Sequence, residues 1–128
     1  MDPQVAGKTY PDVAFVVDPA RVEAFRRVFD MPAGVPPTFL TAAEFTVMPT
    51  VIEDPELGLD FTRVLHGSQS YELHRPIVEG ETLTVRARIG SIRVKGTSGF
   101  LTIVMDMVDA GGLPVATATS VMIERGPA

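Results

Sequence analysis

Apolar and polar positions recur with different periods along the chain, and each change of period marks an element. Val13-Ala-Phe-Val-Val17 is an unbroken apolar run of strand length, the pattern of a buried strand. Asp18-Pro19 follows, a capping side chain with proline at a first helical position. Behind it Val22, Phe25 and Phe29 recur at i, i+3 and i+7 with Val28 beside them, while Arg21, Glu23, Arg26 and Arg27 mostly face away. That spacing predicts an amphipathic helix, ended by Met31-Pro-Ala-Gly-Val-Pro-Pro37. Thr38 to Met48 predicts a second helix, capped by Thr38 and closed by Pro49. Phe39, Leu40, Ala42, Ala43, Phe45, Val47 and Met48 make it apolar almost all round, so it belongs in an interior.

After a solvated loop around Glu53-Asp54-Pro55-Glu56 and Gly58, the period shortens to that of strands. Phe61–Pro76, Glu81–Val94, Gly99–Asp109 and Pro114–Arg125 are separated by Val78-Glu-Gly80, Lys95-Gly-Thr-Ser98 and Ala110-Gly-Gly112. Leu83, Val85, Ala87 and Ile89 alternate with Thr82, Thr84, Arg86 and Arg88, so one face of that strand is buried. The last strand alternates less cleanly, and its inward face stays open: Val115, Thr117, Thr119, Val121 and Ile123 oppose Ala116, Ala118, Ser120 and Met122. Short turns favour antiparallel pairing. One apolar helix followed by a long antiparallel sheet predicts an α+β hot-dog fold, a curved sheet wrapped around a buried central helix.

Composition narrows this picture. A chain of 128 residues and 13.8 kDa is expected to form one domain over residues 1–128. With no Cys, disulfides and Cys-based zinc sites are excluded, and two His with scattered carboxylates make no usual metal site, so neither metal nor cofactor is expected. A net charge of −5 argues against nucleic acid as a partner. Apolar runs stay far below the ~18 residues of a membrane span, and MDPQVAGKTYPD does not read as a signal peptide. These features together predict a cytoplasmic protein.

The segment His66-Gly-Ser-Gln69-Ser-Tyr-Glu-Leu-His74-Arg75-Pro76-Ile-Val-Glu-Gly80 carries an HGxQ strand leading to HRP and a Gly turn. It resembles the N-terminal, non-catalytic domain of the MaoC-like dehydratases. The resemblance extends to Gly7-Lys-Thr-Tyr10, Val35-Pro-Pro-Thr-Phe-Leu40, Gly99-Phe-Leu-Thr-Ile103 and Gly112–Glu124. It implies a hot-dog unit that pairs with another, one half binding and shaping, the other acting on the 3-hydroxyl of a coenzyme A or carrier-protein thioester. The active half of that family carries an Asp-x-Asn-Pro-x-His motif. This chain has none, no His before His66, and only Asp30–Pro37 between its two predicted helices. The resemblance therefore implies a non-catalytic, substrate-channel-forming subunit of a (3R)-hydroxyacyl-thioester dehydratase or enoyl-CoA hydratase. Its partner would be a catalytic MaoC-like subunit, with a homodimer as the other possibility.

Glu44, in the middle of the buried helix, is the one candidate for chemistry of the chain's own. A buried carboxyl has a raised pKa suited to acid–base work, and it supports the alternative of a self-sufficient homodimeric thioesterase or divergent hydratase. A non-enzymatic acyl-thioester binding protein is the third reading. Phe39, Phe45, Met48 and Val51 could border an acyl tunnel, although a helix in this place is ordinarily core. Arg93 and Lys95, with Arg86 and Arg88, could receive phosphates of coenzyme A or an acidic carrier, although charges on a strand usually form a solvated face. In an unbroken strand His66 and His74 share one side with Ser68, Ser70 and Glu72, opposite Gln69 and Tyr71. They stand about 26 Å apart at 3.3 Å per residue, too far to share a metal, and a structural or interface role is expected for both. Gly96-Thr-Ser98-Gly99 is a turn without the strand-to-helix setting of a serine nucleophile.

Overall fold

The computed structural model describes residues 1–127. Strand β1 (Val13–Val16) leads into helix α1 (Pro19–Phe29). A short 3-10 turn at Pro37–Leu40 then runs into helices α2 (Thr41–Glu44) and α3 (Met48–Ile52). Strands β2 (Val64–Leu73), β3 (Thr82–Lys95), β4 (Ser98–Val108) and β5 (Pro114–Glu124) follow. They form one antiparallel sheet in the order β1-β3-β4-β5-β2. The helical segment packs against its concave face, where Leu40, Ala43, Val47 and Val51 meet Leu83, Val85, Ile89, Leu101, Ile103 and Met105 in one core. This is the hot-dog arrangement.

Asp18 caps α1, its Oδ1 accepting from the Ala20 N–H at 3.0 Å, with Pro19 in the first turn. The expected apolar stripe is only partly used. Val22 is fully buried, but Val28 is 76% and Phe29 60% exposed. The second predicted helix is corrected more deeply: it is broken into the 3-10 turn, α2 and α3, and Pro49 opens α3 instead of closing a helix. Proline has no N–H to give a preceding turn and disfavours helical backbone at the residue before it, so no continuous helix crosses Met48-Pro49. Thr46 helps the break by donating its hydroxyl to the Ala43 carbonyl at 2.6 Å. The break turns Phe45 outward, where it is 65% exposed.

Ala116, Ala118, Ser120 and Met122 are the buried set on β5 and line the concave side; Val115 is also buried where the strand begins. Two extra residues reset the alternation elsewhere. Gly90 is unpaired in β3, between Ile89↔Ile103 and Ser91↔Thr102, and Gly67 is unpaired in β2, between His66↔Met122 and Ser68↔Val121. Gly67 also lies under Ile123, whose Cδ1 would stand 3.0 Å from any added Cβ.

The two rims of the sheet differ. On the outer side of β3, β1 is continued by the N-terminal segment: Tyr10 N–H donates to the Ala87 carbonyl at 3.0 Å, and Gly7 N–H to the Ile89 carbonyl at 2.8 Å. On the other rim β2 has β5 on one side and no strand on the other among the described residues. Within those residues, no helix is long and apolar enough to cross a membrane.

Candidate functional site

The break between α2 and α3 leaves a cleft against the edge strand β2. Thr41, Glu44, Phe45, Met48 and Ile52 form its helical wall. Phe61, Val64, His66 and Gln69 from around β2 form the opposite wall, with Ser120 and Met122 of β5 between them, and the volume is about 290 Å³. Most of this lining is apolar, and the polar atoms converge on one carboxyl group.

Glu44 is 3% exposed. Gln69 Nε2 donates to its Oε1 at 2.8 Å, and the Tyr71 hydroxyl donates to its Oε2 at 2.8 Å. With its proton given to Glu44, Tyr71 accepts from Thr41 Oγ1 at 2.7 Å. Ser120 Oγ donates to Gln69 Oε1, which fixes the amide with its nitrogen toward the carboxylate. Five side chains from α2, β2 and β5 thus share one network with its donors aimed at Glu44. Burial pushes the Glu44 carboxyl above the ordinary carboxylate range, while the bonds from Tyr71 and Gln69 and the nearby His66 pull it part of the way back. Burial also raises the Tyr71 phenol to about 12, so it is a donor at neutral pH.

The Gly67 bulge decides which residues take part. It moves His66 to the concave side with Gln69 and Tyr71, which corrects the expectation for an unbroken strand that His66 shares a face with His74. His74 Nε2 instead meets Thr117 Oγ1 at 3.1 Å, and Thr117 in turn donates to Asp106 Oδ1. Sequence reasoning left Gln69, Tyr71, Thr41 and Ser120 out of any site. The HGxQ glycine was the available signal, since a glycine within a strand marks a bulge.

The structure brings Phe45 and Met48 to the cleft wall and leaves Phe39 and Val51 outside it. Phe39 packs edge-on against Phe25, with ring centroids 5.6 Å apart, in the core. Arg93 and Lys95 are exposed, and Arg93 is paired with Phe100 on the convex side, away from the cleft. Arg86 and Arg88 on that side have carboxylate neighbours, Asp12 at 3.1 Å and Asp106 at 3.7 Å. Arg75 of the HRP segment is a clip: it bonds Glu81 at 2.6 and 3.0 Å and Asp109 at 3.3 Å, tying the end of β2 to the start of β3 and the end of β4. No group of three or more His, Asp or Glu among the described residues is placed to hold a metal ion.

Known proteins share both this sequence and this shape. A UPF0336 protein of Saccharopolyspora erythraea is 38% identical over 93 residues, covering 73% of this chain and 60% of that protein, so the matched segment falls short of the relative's full length. UPF0336 protein Lxx02810 of Leifsonia xyli is 31% identical, with 98% of this chain and 97% of the relative covered. Among solved structures, the C-terminally truncated HadBC (3R-hydroxyacyl-ACP dehydratase) complex of Mycobacterium tuberculosis matches with a TM-score of 0.80 at 17% identity, over 93% of this chain and 96% of that one. A MaoC-like dehydratase matches with a TM-score of 0.81 at 20% identity, over 95% of this chain but 42% of its own length. At those identities the likeness shows the hot-dog fold alone. The family model described as "FAS1-like, dehydratase domain region" matches residues 7–118, and the chain belongs to that family.

Proposed function

We propose that this chain is the non-catalytic, channel-forming subunit of a (3R)-hydroxyacyl-thioester dehydratase or enoyl-CoA hydratase of the cytoplasm. Its partner is a second hot-dog chain that carries the catalytic Asp and His. The observation that carries this reading is the composition of the cleft. It is an apolar slot lined by the edge strand β2, and its one carboxyl has both oxygens engaged by Gln69 and Tyr71. A partner strand added at β2 would place a second active unit beside that slot. The partner's base and acid take the Cα proton and release the 3-hydroxyl as water, and this chain holds the acyl tail. Each buried methylene of the tail contributes about 0.8 kcal/mol. The acyl group is carried on coenzyme A or on a carrier protein. Assembly of hot-dog chains in the HadBC and ChsH1-ChsH2 complexes of Mycobacterium tuberculosis supports pairing.

The purified chain, alone and mixed with a MaoC-like chain that carries Asp-x-Asn-Pro-x-His, is assayed for hydration of crotonyl-CoA. Activity in the mixture that exceeds the sum of the separate chains is expected. Turnover by this chain unaided would sink the subunit reading and favour the self-sufficient enzyme. Burial of Glu44 in a cleft that also holds His66 is the observation behind that second reading. In that case Glu44→Gln abolishes the unaided turnover.

A further inference from the structure

The proposed subunit role leaves Glu44 without a task, yet the residue is a carboxyl buried at the cleft with 3% exposure. A carboxylate offers about four acceptor positions, and here two are taken, both by neutral donors. Among the other lining residues His66 is the one that can carry positive charge. Packing does not require this arrangement, since an apolar side chain could fill the same place between α2 and the sheet. The donors Tyr71 and Gln69 are themselves held by Thr41 and Ser120, so the carboxyl is fixed in orientation. Glu44 lines the cleft together with His66, Thr41, Gln69 and Ser120, and the rest of the wall is apolar, from Phe45, Met48, Ile52, Phe61, Val64 and Met122. A ligand complementary to that site is an apolar chain with one hydrogen-bond donor along it. Where the chemistry takes place in the partner, the carbons next to the thioester lie on the partner's side, and the part of the chain entering this cleft is the distal part.

We infer that the Glu44, Gln69 and Tyr71 cluster is a subsite for a hydroxyl group on the distal part of an acyl chain, and that it selects such thioesters over unsubstituted ones of the same length. This rests on the acyl-binding role proposed above. A thioester whose hydroxyl adds a hydrogen bond to the carboxyl is favoured over the analogue lacking it by the strength of that added bond.

Titration calorimetry of the intact chain with decanoyl-CoA, ω-hydroxydecanoyl-CoA and β-hydroxydecanoyl-CoA tests this. The ω-hydroxy thioester is expected to bind roughly tenfold tighter than the other two, as one added hydrogen bond to a charged group gives. In Glu44→Leu that preference disappears while decanoyl-CoA binding holds or improves. Glu44→Gln, which keeps an acceptor oxygen and the shape of the side chain, retains part of it and stands in if the leucine variant does not fold. Equal binding of decanoyl-CoA and ω-hydroxydecanoyl-CoA by the unaltered chain overturns the subsite and leaves the acyl-binding role standing. Absence of binding by all three removes the acyl-binding role, and the subsite with it.

Discussion

A buried acid held only by neutral donors makes the stability of this protein depend on pH in a particular direction. Glu44 has a raised pKa when folded, chiefly through burial. Below the unfolded value of about 4.3 both states are protonated and the group costs nothing. As pH rises past that value the unfolded chain releases its proton first, so stability falls until the folded pKa is passed, and is flat beyond it. Glu44→Gln removes this slope, because the amide can accept from Gln69 and donate to Tyr71 without carrying charge. The variant is expected to melt higher than the parent at pH 8 and level with it at pH 3.5, a comparison that thermal unfolding at the two pH values makes directly. A smaller gain at pH 8 than at pH 3.5 would contradict the assignment.

One residue in β2 governs what the strand presents. Because side chains alternate with period two, the unpaired Gly67 exchanges the faces of everything before it relative to everything after it. Deleting Gly67 is expected to leave a straight ladder in which His66 still opposes Met122 and still faces the cleft, because the pairs on either side of the bulge are unchanged. Two-dimensional NMR of the His66 ring, which would keep its contacts to the Glu44 side, checks this. This is also where reading the sequence stopped short. Strands and turns were legible because alternation and Gly-rich turns are local signals, and the five strands lie close to their expected positions. The bulge was not, because its glycine looks like any other until the partner's register is known. The continuous helix expected over Thr38–Met48 is absent for a related reason: a proline after an apolar run serves equally as a stop or as a first-turn residue, and Pro49 here opens α3. Glu44 was identifiable as a buried acid from its neighbours, while Gln69, Tyr71 and Ser120 come from strands that only the fold brings to it.

Taken as one body, the molecule is held together by its loops as well as its sheet. Lys8 reaches Asp54 at 2.7 Å and Glu56 at 2.8 Å, Tyr10 reaches the same Asp54 at 2.8 Å, and the Asp2 N–H bonds the Leu57 carbonyl at 3.1 Å. Those bonds hold the Asp54 carboxyl below its usual range, with Lys8 the largest cause. Leu57, in a loop the sequence pattern marks as solvated, is fully buried in the core. Leu57→Ala is expected to lose about 3 kcal/mol, the scale of a buried leucine truncation, in urea unfolding. A loss within 0.5 kcal/mol would mean that the loop is not part of the folded unit.

The unequal rims of the sheet set how far association can go. A sheet with two open rims can add neighbours on both sides without limit and tends toward fibres. Here the N-terminal segment occupies the β3 rim as far as Ile89, so that side ends in the four-residue β1 and a short irregular segment, whereas β2 offers a ten-residue open edge. In sheet extension the molecule therefore has one long edge and one short one. Pairing through β2 covers the long edge, and further growth would have to start from β1, the kind of very short edge strand that resists adding a neighbour.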